Sequence, residues 1–194
     1  MRNSKIQTLA ECAVMIALAF SLSCAKLWEM PLGGSVTIGS MLPIMLISIK
    51  YGPIVGLETG FLYSLTQAAQ ALVEGNVFPY CETGVTLVIC VLFDYIVPFT
   101  ILGLAGIFKK FKVFKNNEFN AYLGMFSVVI VRFLCHFVTG VVIWRQWAPE
   151  GMGKYIYSLA YNGSFLAADF AICIVLAFLM LRKSEIRKLI SLEG

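Results

Sequence analysis

The residues best suited to chemistry lie at helical spacing in one stretch of the chain. Arg132, His136, Gly140 and Trp144 follow at i, i+4, i+8 and i+12, and a helical pitch sets them on one face. Each alone has a plain explanation. A histidine can be satisfied in a core, a glycine allows close helix packing, and a tryptophan suits a membrane interface. Together they describe the wall of a pocket opening outward: polar at depth, open at Gly140, aromatic at its outer end. Asp94 belongs to the preceding predicted helix. If that helix starts near residue 86, Asp94 lies about eight residues below its outer end, or ~12 Å at the helical rise. His136 is about seven residues below the outer end of its own helix, so the two can share a depth.

A buried carboxylate among aromatic faces suits an organic cation. Trp144, Trp147, Tyr155, Tyr157, Tyr161 and Asn162 fall in one outer segment, and outer loops add Trp28 and Tyr80. Cation–π attraction is worth ~0.5–1 kcal/mol when exposed and ~2 kcal/mol or more when desolvated. An ordinary aromatic girdle explains the rings but leaves Asp94 unexplained. Arg132 and Asp169 also lie deep. They can neutralise each other, Arg132 can pair with Asp94, or both can face a ligand, and the spacing leaves these readings open. Glu58 lies near the inner end of its helix, where it can snorkel to the surface.

Other chemistry is missing. The chain has no Gly-x-x-x-x-Gly-Lys-Ser/Thr loop, no Gly-x-Ser-x-Gly and no His-Glu-x-x-His. Its six cysteines (Cys12, Cys24, Cys81, Cys90, Cys135 and Cys173) are scattered without Cys-x-x-Cys spacing. They read as small apolar fillers, and a single histidine completes no zinc site. What remains is a passive binder, a carrier, or a subunit of a larger machine. An intramembrane enzyme using Asp94, Asp169 and His136 as acid–base groups is one rival. A scaffolding subunit without a ligand is the other, and it gives Asp94, His136 and Trp144 no role.

These residues must be positioned by membrane helices. Of 194 residues, 59% are apolar and 13% charged, against about 25% charged in a soluble domain. Mean hydropathy is +0.84. A soluble enzyme and a disordered chain are excluded together. The expectation is an all-α integral membrane protein, one membrane domain over 1–194. Its six apolar stretches run approximately 6–25, 36–50, 53–73, 86–108, 119–143 and 158–181. A span needs about 20 apolar residues. The second stretch is short and carries Pro43, so it is expected to kink, tilt or lie against its neighbours. Pro53 suits a first helical turn, and Pro98 should bend the fourth span.

Lysine and arginine set the orientation. Arg2, Lys5, Lys50, Lys109, Lys110, Lys112, Lys115, Arg182, Lys183, Arg187 and Lys188 fall at one set of ends. Lys26, Arg145 and Lys154 fall at the other. The larger set is expected in the cytoplasm with both termini, as an even number of spans requires. The net charge of +4 therefore reads as topology and contact with anionic lipid, not as a nucleic-acid face. Glu11 interrupts the first apolar run, and no small-x-small cleavage site follows cleanly, so that run is expected to be a retained helix.

Several segments resemble the substrate-binding S-components of energy-coupling factor (ECF) vitamin transporters, in particular the thiamine-specific ones. They are Ala13-Val-Met-Ile-Ala17, Ile38-Gly39-Ser40-Met41-Leu42-Pro43-Ile44, Lys50-Tyr51-Gly52-Pro53-Ile-Val-Gly56, Gly60-Phe-Leu-Tyr63, Phe93-Asp94-Tyr95 and Leu102-Gly-Leu-Ala-Gly106. His136 to Trp144 and Tyr157 to Asn162 complete the set. The resemblance covers nearly the whole chain. Its more specific parts are the His-x-x-x-Gly-x-x-x-Trp and Tyr-x-x-x-x-Asn spacings.

The resemblance implies a six-helix binding protein that captures thiamine at the outer face and makes no bonds itself. It implies ligand contacts from Asp94 and Tyr95 to the aminopyrimidine. Further contacts are implied from His136, Gly140 and Trp144 on span five, from Tyr157 and Asn162 entering span six, and from Trp28 on the first outer loop. Family members carry Glu or Asp where Asp94 stands, so Asp94 fits with a shorter reach, and the long outer segment from Glu74 to Thr86 leaves open which aromatic of the third loop, Tyr80 or another, takes part. Ala13 and Ala17 match a small-residue face that docks on a transmembrane coupling subunit. Two ATPase subunits, separate chains, would hold the ATP, and this chain would carry no cofactor or metal. Other vitamins served by the family (riboflavin, biotin or a pyrimidine precursor) are the nearest alternatives.

Overall fold

A computed structural model describes residues 2–192, with side chains from residue 4, so the Arg2 side chain of the inner basic set lies outside the described residues. The chain opens with α1 (Arg2–Cys24), followed by a short antiparallel hairpin of β1 (Lys26–Glu29) and β2 (Ser35–Thr37). Then come α2 (Leu42–Tyr51) and α3 (Pro53–Glu74). The fourth rod, Gly84–Lys110, is segmented. It runs from α4 (Gly84–Cys90) through a π-helical stretch (Val91–Ile96), α5 (Val97–Thr100) and a 3₁₀ stretch (Ile101–Leu104) to α6 (Ile107–Lys110). Two long helices, α7 (Asn117–Val142) and α8 (Lys154–Leu181), and the short α9 (Ser184–Leu189) complete the order.

Among the described residues, four helical rods are long and apolar enough to cross a membrane: Ser4–Cys24, Gly84–Lys110, Asn117–Val142 and Lys154–Leu181. Their outer faces expose Leu9, Val14, Val88, Phe126, Leu134 and Phe178, as surfaces solvated by lipid tails do. The helix α3 is more polar, because Glu58, Gln67, Gln70 and Glu74 lie along it. The second apolar stretch behaves differently from a bent span. Its first residues pair as β2, and Pro43 stands in the first turn of α2, where its missing N–H costs nothing. At 10 residues, α2 is about 15 Å long, half a bilayer core. From Leu42 to Ile49 it is buried on every side, so it is a core helix wrapped by its neighbours.

The hairpin departs from an all-α expectation. Gly33 and Gly34 adopt φ of +81° and +73°, a left-handed turn that glycine enters without steric cost. The strand residues Leu27 and Trp28 are exposed. Four and three residues of strand are too little periodic signal to read within an apolar chain.

Pro98 explains the segmentation of the fourth rod. It has no N–H to donate to the carbonyl of Asp94, four residues earlier, and its ring crowds that carbonyl. The backbone widens into the π-helical stretch just before it, a usual way to absorb such a defect. Further down, the rod crosses α3 at van der Waals limits. A Cβ on Gly103 would lie 2.1 Å from the Gly56 carbonyl oxygen, and one on Gly56 would lie 2.2 Å from that of Gly103. Ser48 of α2 ties into the same crossing. Its Oγ donates to the Gly103 carbonyl at 2.5 Å and accepts from the Gly106 N–H at 2.8 Å.

Candidate functional site

The site begins with the buried stripe of α7. Arg132, His136, Thr139 and Gly140 all face inward, and Trp144 follows in a 3₁₀ turn, Trp144–Trp147, just beyond the helix. Asp94 comes to this stripe from the π-helical stretch and is itself buried. Its Oδ1 accepts from His136 Nδ1 at 3.0 Å and from the Thr139 hydroxyl. Its Oδ2 accepts from Trp144 Nε1 at 3.1 Å. Two donors from α7 and one from the turn after it therefore fix one carboxylate, each in a charge-assisted bond.

The arrangement also fixes the imidazole. Arg132 Nε lies 3.4 Å from His136 Nε2, and a guanidinium has only donors. His136 must accept there, so its proton sits on Nδ1, facing Asp94. The Arg132 guanidinium stacks on the Phe99 ring, 4.3 Å from the centroid, and its Nη1 is buried without a hydrogen-bond partner. Among the described residues Arg132 makes no ion pair with either Asp94 or Asp169. Asp169 instead accepts from the backbone N–H and the hydroxyl of Thr37, both at 2.8 Å, which anchors the end of the hairpin to α8.

These groups line one cavity of about 110 Å³. Asp94, Tyr95, His136, Trp144 and Asn162 stand on its wall, joined by Phe99, Arg132, Tyr161, Phe165 and Asp169. The side toward α1, α3 and the hairpin is polar, with Ser23, Lys26, Glu29, Gln67, Gln70, Glu74 and Asn76. Four carboxylates face two cations around the cavity, so its field favours a positive ligand. Asn162 is held with its amide donating to the carbonyls of His136 (3.0 Å) and Ser158 (3.1 Å). Tyr161 staples the hairpin turn: its hydroxyl accepts from the Leu32 N–H and donates to the Gly33 carbonyl, both at 3.0 Å.

Four other expected residues lie off the wall. Gly140 sits at the crossing of α7 and α8, where a Cβ would meet Ser158 Oγ at 2.2 Å. Tyr157 is buried in the cluster with Trp144 and Ile143, behind the wall. Trp28 is 51% exposed on β1, and the hairpin reaches the cavity through Leu32, Gly33, Gly34 and Ser35 instead. Tyr80 packs edge-on against Trp147 at 5.5 Å between centroids. The polar wall from Ser23 to Asn76 was missed by sequence reasoning. Its one signal was Gln67, Gln70 and Glu74 at helical spacing on α3.

The whole chain has relatives. Residues 9–189 match the family model described as "Thiamine transporter protein". Thiamine transporter ThiT of Bacillus subtilis (strain 168) is 34% identical, over 96% of this chain and 97% of the relative. Its counterpart in Lacticaseibacillus paracasei is 24% identical, over 73% and 70%. The fold matches a solved structure of ThiT from Listeria monocytogenes with a TM-score of 0.69. That match covers 96% of this chain and 98% of the other at 22% identity. Family model, end-to-end similarity and apolar helices agree that this multi-pass cell-membrane protein belongs to the thiamine transporter family.

Proposed function

We propose that the chain binds thiamine from the outer face in the cavity beside Asp94 and acts as the S-component of an ECF-type uptake system. The observation that carries this reading is the Asp94 carboxylate, pinned by His136, Thr139 and Trp144 on the wall of an aromatic, net-negative cavity. Thiamine joins a permanently cationic thiazolium to an aminopyrimidine. The first suits a carboxylate among rings, and the second suits the hydrogen-bonding groups of Asp94, Tyr95 and Asn162. The relatives named thiamine transporters support the same ligand. In this reading the chain makes six crossings, the second shared between α2 and the extended segment that leads into it, with both termini and the larger basic set in the cytoplasm. Ala13 and Ala17 dock on a coupling subunit, and two ATPase subunits supply the energy.

Titration of the purified protein with thiamine, riboflavin, biotin and a hydroxymethyl-aminopyrimidine tests the ligand. Thiamine should bind at least about 100-fold tighter than the others, a difference of ~2.7 kcal/mol. Equal or tighter binding of riboflavin or biotin would overturn the assignment.

A further inference from the structure

The polar wall of the cavity has a charge arrangement that the capture of a cation does not require. Lys26 Nζ bonds Glu29 Oε1 at 2.7 Å and Glu74 Oε1 at 2.8 Å. Gln70 donates to Glu74 Oε1 at 2.9 Å, and Asn76 reaches Glu29 Oε1 at 3.2 Å and Glu74 Oε2 at 3.3 Å. All five side chains line the cavity. They come from three places in the chain: the hairpin, the end of α3 and the loop after it. Burial opposes the Lys26 charge, but its bonds to Glu29 and Glu74 outweigh this and raise its pKa above the ordinary lysine value. The rim therefore carries two carboxylates and one ammonium. That ammonium has already given two of its three donors to the carboxylates.

We propose that Glu29 and Glu74 make the cavity selective for free thiamine over its phosphate esters. The inference rests on thiamine being the ligand. With the aminopyrimidine and thiazolium held by Asp94, Tyr95 and Trp144, the hydroxyethyl tail turns to the remaining polar wall. A neutral alcohol can exchange hydrogen bonds there with Ser23, Gln67 or Gln70. A phosphate or diphosphate at the same place brings its negative charge against Glu29 and Glu74, whose side chains are 48% and 30% exposed, and like-charge juxtaposition there is unfavourable although water and salt screen part of it. Lys26 has one donor left, but its single charge is already outnumbered by the two carboxylates that hold it. Arg132, the other cation on the wall, sits at 6% exposure with His136 in front of its Nε and Phe99 against its face. Its Nη1 has no partner but is buried, and Asp169 lies in its surroundings, so a phosphate that reached it would still meet a carboxylate.

Competition binding of thiamine, thiamine monophosphate and thiamine diphosphate to the full chain in nanodiscs tests this. The readout is the ratio of ester to thiamine dissociation constants. In the unmodified protein the diphosphate should bind at least about tenfold more weakly than thiamine at low salt. The gap should narrow as salt rises. In the double variant Glu29→Gln/Glu74→Gln, Lys26 is freed and the ratio should fall toward one. In Lys26→Gln the rim loses its only cation and the ratio should rise. Opposite movement of one ratio separates a charge effect from misfolding, which would weaken all three ligands together. Equal binding of the three ligands by the unmodified protein overturns the proposal, as does a ratio that both variants leave unmoved. Either result leaves thiamine recognition standing. An unmodified protein that binds none of the three overturns the thiamine reading and this inference with it.

Discussion

At the scale of single residues, Asp94 does what an amide cannot. It accepts from His136, Thr139 and Trp144 at once, and only a carboxylate offers acceptors on both oxygens. An asparagine would turn an N–H₂ toward one of these donors. Asp94→Asn should therefore weaken thiamine binding by about 2–5 kcal/mol, the usual cost of truncating a buried charge contact. Calorimetry against the unmodified protein measures it, and an unchanged affinity would remove Asp94 from the ligand. Asp94, His136 and Trp144 were legible in the sequence because an i, i+4 stripe and a carboxylate at matching depth are local signals. The placements of Arg132 and Asp169 were not. Arg132 is occupied by His136 and Phe99, and Asp169 is spoken for by Thr37, 132 residues away in the chain. No spacing rule reaches across that distance. Nor does spacing tell a glycine that lets a ligand in from one that lets a helix in, which is why Gly140 reads two ways until Ser158 is seen against it.

At the scale of elements, the site depends on a contact that touches no ligand. The fourth rod carries Asp94 in its π-helical stretch and crosses α3 at Gly103 and Gly56 below it. Backbone meets backbone there, and a side chain would force the two helices apart. Gly103→Leu should lower stability by about 3 kcal/mol or more, at or beyond the upper end of ordinary overpacking, and thiamine affinity should fall with it. Gly84→Ala in the same rod is the control, because a Cβ there meets nothing within 4 Å. Thermal unfolding of the two variants in one detergent decides. A Gly103→Leu protein as stable as the control would mean that the crossing is slack. The helices themselves were largely legible, since long apolar runs and proline positions are strong signals. The hairpin was not, and α2 was legible only as an exception. A run of 10 residues surrounded by protein has the composition of a membrane span without its length.

At the scale of the whole molecule, the cavity and the surface open to a partner are separate. Ala13 and Ala17 are exposed on α1, while Met15, Ile16 and Ala19 on the same helix pack against the core. Neither alanine lines the cavity. Changing both to tryptophan should leave thiamine affinity within about threefold, while blocking the close helix approach that association in lipid relies on. If the chain works as the S-component we propose, co-purification with a coupling subunit and ATP-dependent uptake in vesicles should both be lost. Affinity and uptake measured on one preparation test this: intact uptake removes the docking role, and joint loss of affinity places the alanines within the bundle's own packing.

The span of chain that closes the cavity also orders its assembly in time. The wall starts at Ser23, takes Asp94 from the middle of the chain, and is finished by Tyr161, Phe165 and Asp169 of α8. Two of these three fasten the hairpin, Tyr161 at its turn and Asp169 at its end. Synthesis runs from the N-terminus at about 5–20 residues per second, so α1 and the hairpin wait several seconds for the helix that holds them. During that interval the polar groups of Arg132, Asp94 and the rim belong to an unfinished bundle with one side missing. Vitamin capture is thus a property of the completed chain, and a nascent one has most of its helices before it has anywhere to put a ligand.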